Sequence, residues 1–245
     1  MSNIKNSLMM FSRSGMCSNF LEILHKNEQF LVIACSGGPD SAALMGSARV
    51  LLNRNLIKKV DVVHINHNLR KEALDDMNVC REQSKIFNFP FFHYDIYPQA
   101  LNGNIYQESR KLRYQMLQHH SVKNKCDVIL TAHHSDDMAE TVLMHLARGC
   151  GVDGLCGVRQ RQNSLGNVDI VRPFLNIRKS KLENLCVKAN IPFCIDKSNF
   201  NIEKTRAYVR HSVIPALEKI NPCFVEHVAK TAMIMQSIVE KNKIR

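Results

Sequence analysis

The 245-residue chain contains no tryptophan, and its aromatic content is only 7%. It has no C-x-x-C pair, which excludes zinc-ribbon and thioredoxin-like readings on spacing alone. No G-x-x-x-x-G-K-[ST] segment occurs, so a Walker A loop is excluded as well. The longest uninterrupted apolar run is the six residues Phe30 to Cys35, against the roughly 18 needed to span a bilayer. No basic amphipathic helix with a Trp/Phe face stands out, so no membrane role is expected. Acids are also scarce: 22 Asp+Glu stand against 33 Lys+Arg, a net charge of +11. That surplus calls for a polyanionic partner, with nucleic acid first in line.

What is present is ordinary globular composition, 45% hydrophobic and 22% charged. The length allows one generous domain, or one domain with a small appendage. The nine cysteines are odd in number and scattered. Several sit in apolar runs, such as Cys35 and Cys186, as small core residues would. This usage fits a reducing compartment, the cytoplasm. The first twenty residues hold Lys5, Arg13, five serines and no acid, a composition like that of a transit peptide. The plainer reading is a frayed start before a first helix near Asn19 to Leu24.

Strand and helix signals then alternate. Strands are expected at Phe30–Cys35, Val60–Ile65, Pro90–Ile96 and Asp127–Thr131. Helices are expected at Ser41–Leu52, Lys71–Phe87, Ile105–His119 and Asp136–Ala147, the last closed by Gly149 and Gly151. This alternation predicts an α/β fold: a doubly wound, mainly parallel sheet with helices on both faces, followed by a short helical C-terminal segment. After Gly157 the pattern loosens into a polar loop at Gln160–Asn167, with helices at Arg178–Asn190, Thr205–Ile220 and Phe224–Glu240. Ligands of such sheets sit at the carboxyl ends of the strands. That edge would hold Ser36–Ser41, Asn66–Arg70 and Ala132–Asp137, the most polar stretches of the chain.

Ser36-Gly37-Gly38-Pro39-Asp40-Ser41 carries the strongest signal. Its glycines let backbone amides approach a bulky anion, and Pro39 suits the first turn of a helix whose N-terminus adds positive potential. Ser36 and Ser41 can donate hydroxyl hydrogen bonds. Asp40 in an anion site implies a bridging Mg²⁺; the plainer alternative is a tight turn with Asp40 as a cap. His133, His134, Asp136, Asp137 and Glu140 form a second cluster, with the acids in the first turn of a helix. Helix capping explains one carboxylate, and a dinuclear metal hydrolase is a rival that leaves the glycine loop unexplained. Arg110, Lys111 and Arg113 lie on one basic helix, while Arg206 and Arg210, four apart, share another helical face. Singly these read as solvated charge; as a group they suit phosphate contacts. Tyr106, Tyr114 and Tyr208 among them could stack on bases or simply pack.

The loop S-G-G-x-D-S after a buried strand resembles the PP-loop of the N-type ATP pyrophosphatases. His64-Ile65-Asn66-His67-Asn68-Leu69-Arg70 is similar to the H-x-x-H-x-L-R element of that group. Thr131 to Thr141 resembles the T-A-H-H-x-D-D-Q-A-E-T signature of tRNA(Ile)-lysidine synthetases. Arg148 to Leu155, Arg172-Pro173-Phe174-Leu175, Asp196 to Asn199 and Thr205 to His211 follow in the order of that family's remaining motifs. Met138 departs from the usual Gln, which removes a hydrogen bond near the site, and Ala207 departs from the usual Asn.

The resemblance implies that ATP binds at Ser36, Gly37, Gly38, Pro39, Asp40 and Ser41 with His67 and Arg70, and that Mg²⁺ is held by Asp40 and Asp136. It implies catalytic roles for Asp40, His133, Asp136, Asp137 and Glu140. tRNA would be gripped by Arg110, Lys111, Arg113, Arg206 and Arg210. The expected reaction joins L-lysine to C2 of the wobble cytidine of tRNA(Ile) with a CAU anticodon, through an adenylated cytidine, giving AMP and diphosphate. A PP-loop tRNA thiolase and a catalytically silent RNA-binding module are the alternatives. The resemblance also suggests a homodimer. Residues 1–220 would form the catalytic domain, and 221–245 a helical tail that begins a further part.

Overall fold

The computed structural model describes residues 2–68, 73–98, 104–163, 168–194 and 205–243. Two compact units emerge. The first comprises Met1–Ala132, Arg161–Val171 and Glu183–Cys194; the second comprises His133–Gln160, Arg172–Leu182 and Ile195–Arg245.

The first unit is built on a six-stranded sheet in the order β3-β2-β1-β4-β6-β5. The strands are β1 (Phe30–Cys35), β2 (Lys59–Asn66), β3 (Phe91–Asp95), β4 (Val128–Leu130), β5 (Arg161–Gln162) and β6 (Asp169–Val171). All pair in parallel except β5, which runs antiparallel to β6. The expected parallel sheet is therefore present. The short strand β5 falls inside the expected loop Gln160–Asn167 and β6 just after it, where no strand was expected, because two- and three-residue strands show no periodicity to read.

Both faces of the sheet are covered. Side chains alternate along a strand. Val32, Val63, Ile65, Ile129 and Ile170 point to one face, where they pack with Leu117 and Leu112 of α5 (Ile105–Lys123). On the other face, Cys35 and His64 meet Ser41 of α3 (Pro39–Asn53) and Cys80 and Gln83 of α4 (Ala73–Ile86). Before the sheet, α1 (Ser2–Arg13) and α2 (Met16–Ile23) bury Phe11, Met16 and Phe20. The expectation of a frayed start is thus corrected: Phe11 packs edge-on against Phe87, and its ring fills the space beside Gly46.

The helices of this unit end in one recurring way. Asn55, Asn88, Lys125 and Asn190 adopt φ of 58°, 53°, 53° and 52°. Each is followed by an apolar residue whose amide reaches back five residues: Leu56 to Leu51, Phe89 to Ser84, Cys126 to Ser121 and Ile191 to Cys186. These are Schellman motifs, in which a left-handed residue reverses the chain and an apolar residue closes over the last turn. α8 (Lys179–Lys188) is the fourth helix so ended.

The second unit is helical. It contains α6 (Ser135–Ala147), α7 (Val152–Leu155), α9 (Thr205–Tyr208), a π turn (Val209–Val213), α10 (Ile214–Ile220) and α11 (Phe224–Lys243). α11, set apart as a tail on sequence, packs Val225, Ala229 and Ala232 against Ala139, Met138 and Val142 of α6. Met138 is a fully buried core residue whose sulfur accepts the Val158 amide at 3.3 Å, so the substitution for Gln leads into packing. Among the described residues, no helix is long and apolar enough to cross a membrane.

Candidate functional site

In the first unit, β1 delivers the chain into the glycine loop and α3 carries it away. Gly37 has φ +79°, and a side chain there would start 3.3 Å from the Asp76 carbonyl oxygen and 3.4 Å from Cys80 Sγ. Only glycine fits, for both reasons. Gly38 is the extended N-cap of α3 and Pro39 its first residue. The two serines close the loop. Ser41 Oγ donates to the Gly38 carbonyl at 3.0 Å and accepts the Ser36 amide at 3.4 Å, while Ser36 Oγ accepts the Gly38 amide at 3.4 Å. From behind, Gln83 Nε2 donates to the Gly37 carbonyl at 3.0 Å and to the Pro192 carbonyl at 2.7 Å, and the Cys194 amide reaches the same Gly37 oxygen at 2.9 Å. With its carbonyl fixed outward, the loop can turn amides and the start of a helix toward an anion. Asp40 lies in the first turn of α3.

After β2, His67 is half-buried and Asn68 has φ 50°. Asn68 is held by Asn66 and Asp95: Asn66 Nδ2 donates to Asp95 Oδ1 at 2.8 Å, and Asn68 Nδ2 reaches the same oxygen at 3.1 Å. These two asparagines build the turn that presents His67. Arg70 and the segment Asp196–Asn199 lie outside the described residues. Cys80 and Cys186 around the loop are buried thiols, and burial pushes Cys186 up to about 12.

In the second unit, His134 caps α6. Its Nδ1 accepts the Asp137 amide at 3.3 Å, and Asp137 Oδ2 accepts the His134 amide at 3.1 Å, a reciprocal capping box. Arg172-Pro173-Phe174-Leu175 supports this turn: His134 pairs with Phe174 as a β-bridge, and the Ser135 amide donates to the Ile177 carbonyl at 2.9 Å.

The acids are then fixed from two sides. Asp136 Oδ2 accepts the Lys179 amide at 2.8 Å, and Oδ1 lies 3.3 Å from Arg178 Nε. Arg178 also reaches Glu218 at 2.8 Å and Glu226 at 3.1 Å. Burial works against its charge, but those carboxylates hold its pKa above the usual arginine value. Arg206 bonds Asp137 Oδ1 at 2.8 Å and Glu140 Oε2 at 2.7 Å. Arg210 grips both oxygens of Glu140, which is 0% exposed. Burial tends to raise the Asp137 carboxyl, yet the His134 and His133 imidazoles and the Arg206 guanidinium outweigh it and hold it far below the usual carboxylate range.

This changes the expectation for Arg206 and Arg210. They do share a face, as their spacing indicates, but that face is turned to α6, and their charge goes into Asp137 and Glu140. Glu140 in turn is fully occupied by two guanidiniums, which suits a structural anchor better than a proton acceptor. Asp136, Asp137, Glu140, Glu218 and Glu226 face Arg178, Arg206 and Arg210, so carboxylates outnumber guanidiniums by two. A patch with negative charge in excess therefore sits within a chain of net charge +11. His133 is half-buried beside it. Arg178, the residue with most carboxylate partners, carried no signal beyond opening an expected helix.

Comparison with known proteins follows the same lines. The chain is 32% identical over 220 residues to the tRNA(Ile)-lysidine synthase of Thermosipho africanus, covering 85% of this chain and 48% of that protein. It is 32% identical over 224 residues to the tRNA(Ile)-lysidine synthase of Buchnera aphidicola subsp. Schizaphis graminum, covering 89% and 49%. The chain thus spans about half the length of these curated relatives. The U34-tRNA thiolase NcsA from Methanococcus maripaludis shares the fold, with a TM-score of 0.73 at 17% identity over 90% of this chain and 78% of that one. NMN synthetase from Francisella tularensis is more distant, at TM-score 0.52 and 13% identity, covering 95% and 96%. Residues 12–217 match the family model described as a PP-loop domain. A glycine-turned loop at the end of β1, and a match over most of the chain, place this protein in the PP-loop domain family.

Proposed function

We propose that the chain carries the catalytic part of a tRNA(Ile)-lysidine synthase. It would join L-lysine to C2 of the wobble cytidine of tRNA(Ile) with a CAU anticodon, at the expense of ATP. The observation that carries this reading is the pairing of two unlike sites in one chain: a backbone loop suited to phosphate, and a patch with carboxylates in excess, suited to a cation. An ATP pyrophosphatase acting on RNA alone has no need of the second. The names of the curated relatives supply lysine as that cation and tRNA(Ile) as the acceptor.

In this reading the loop amides and the α3 N-terminus take the phosphates of ATP. The cytidine C2 carbonyl oxygen attacks the α-phosphate and pyrophosphate leaves. Adenylation turns that oxygen into a leaving group, the lysine ε-amine attacks C2, and AMP departs. Among the described residues, no three His, Cys, Asp or Glu gather into a metal cage. Mg²⁺ is held by one or two carboxylates plus substrate phosphates, so the donor set fits an ion brought in on ATP. Asp40 would be its ligand from the loop; Asp136 would be the second candidate, its oxygens already engaged by Arg178 and the Lys179 amide. Such an ion would neutralise charge on the departing pyrophosphate.

The lysine ammonium has a solution pKa of about 10.4 and must shed a proton to attack. Asp137, strongly stabilised as the anion, can pair with the cation but is a weak base. Imidazole is the usual acceptor near neutral pH, and His133 is the group assigned that step.

The test is transfer of radiolabelled lysine to a tRNA(Ile) transcript with ATP. Label on the tRNA, lost in Asp40→Ala, supports the reading. Sulfur incorporation without lysine would instead make the chain a thiolase, and tRNA binding with no pyrophosphate release would make it a silent RNA-binding module.

A further inference from the structure

The geometry points to a binding surface for an RNA backbone along α5, in which Tyr114 positions two guanidiniums for phosphate. It rests on the tRNA reading above and adds to it which face meets the RNA and how its cations are held.

α5 holds a single acid, Glu108, among its 19 residues. Arg110 and Lys111 are exposed and Arg113 is half-buried. Among the described residues, none of these cations forms an ion pair, and neither does Glu108. Arg110 and Arg113 are three apart on one helix, a spacing at which like charges repel. Both guanidiniums nonetheless lie over the same ring: Arg110 Cζ is 5.2 Å and Arg113 Cζ 5.1 Å from the Tyr114 centroid. The ring's negative face offsets part of that repulsion. Tyr114 itself is packed against the core of the first unit, so the ring is a fixed platform. An aromatic so engaged is poorly placed to stack on a base, which the sequence had left open.

Two planar donors gathered at one ring and lacking a carboxylate match the needs of phosphate. The surface continues. Gln115, Gln118, His119, Val122 and Lys123 line a groove of about 410 Å³ farther along the same helix. From Arg110 to Lys123 the helix carries no acid over about 20 Å; its exposed groups are cations and neutral donors or acceptors, with Val122 as the apolar exception. This is the pattern of a backbone-tracking, sequence-independent contact. An acidic peptide or the phosphates of ATP are the competing occupants.

The experiment measures binding of a tRNA(Ile) transcript across a salt series for the wild type, Arg110→Gln/Arg113→Gln, Tyr114→Leu and Tyr114→Phe. Thermal unfolding confirms that each is folded. The double variant should bind roughly tenfold or more weakly, and the slope of log K against log salt should flatten by about 1.5, near 0.7–0.9 for each lost phosphate contact. Tyr114→Leu should weaken binding severalfold with the slope kept, and Tyr114→Phe should restore it. An unchanged affinity and slope in the double variant overturns the surface. So does a matching loss of ATP affinity, measured without RNA by titration calorimetry, because the cations would then serve the nucleotide. Lysine transfer is scored separately. If the wild type transfers no lysine but the salt slopes behave as stated, the lysidine reading fails and the surface stands.

Discussion

In the first unit the proposed anion seat is made of backbone. Its glycines, the Pro39 turn and two serine hydroxyls shape it, and its ties to Gln83 and Cys194 end on a carbonyl oxygen. In the second unit the site is made of charge. The capping box sets the first turn of α6, and Arg178, Arg206 and Arg210 then lock each acid in place. A phosphate group is large and highly charged, and fixed amide dipoles can meet it without bringing charges that must be desolvated. A small cation calls for carboxylates, and crowded carboxylates repel unless guanidiniums space them. The two designs should therefore fail differently when one atom is changed.

The backbone seat should be most sensitive at Gly37. An alanine there meets both the positive φ and the Asp76 carbonyl. ATP-dependent pyrophosphate release should fall by about 100-fold, comparable to losing a preorganised donor, while the fold loses only about 1–2 kcal/mol. Ser36→Ala, which leaves the backbone path intact, should cost far less. Equal losses in both variants would mean that side chains, not backbone, make the seat.

The charged site should show the reverse, a large effect on stability. Glu140→Ala removes the acid that Arg206 and Arg210 share and leaves Asp137 to both; breaking a buried charge pair costs about 3–5 kcal/mol. Because Arg206 is 44% exposed, water softens its share, so the lower end is expected in urea unfolding. Adding Arg210→Ala to Glu140→Ala should cost little more, since both remove one interaction. Strict additivity would show that the pair does not act as a unit.

A pH series sharpens the same contrast. Asp137 ionises more readily in the folded protein than in the unfolded chain. Its stabilisation is therefore complete above the unfolded value of about 3.9 and is lost as pH falls below it toward the folded value. Urea midpoints should drop progressively as pH is lowered from about 4. Asp137→Asn should be less stable at pH 6 and show a shallower drop. An identical pH dependence in the variant would remove Asp137 from the network.

The same difference governs what could be read from the sequence. Loop Ser36–Ser41 was legible because a buried strand, two glycines and a proline constrain the backbone locally. The alternation of strands and helices gave the parallel sheet for the same reason. The partners of the acids were not legible. Arg206 and Arg210 read as surface charge because a four-residue spacing says which residues share a face, not what that face meets. Arg178 lies more than forty residues from Asp136, and nothing local marks it. The strands β5 and β6 escaped notice because their pairing, β6 with β4 and β5 with β6, is fixed by the sheet and not by their own composition. At the N-terminus, Phe11 earns its place through Gly46 and Phe87, both far along the chain.

The smallest effect probes how far backbone alone stabilises the first unit. Four of its helices end on a left-handed residue, and three of these are asparagine, which tolerates that region. Lys125 is the exception: it is exposed, with φ 53° and no side-chain compensation for the left-handed turn. Glycine adopts this conformation without the Cβ penalty, although it also loosens the unfolded chain. Lys125→Gly should therefore raise stability by about 0.5–1 kcal/mol, whereas Asn190→Val should lower it by about 1–2 kcal/mol. Urea unfolding measures both. Lys125 lies outside the loop and the acidic patch, so pyrophosphate release should be unchanged in Lys125→Gly. A loss of stability there would mean that the Schellman turn at the end of α5 is held by the lysine side chain, and the first unit would owe less to its backbone than its loop and helix ends indicate.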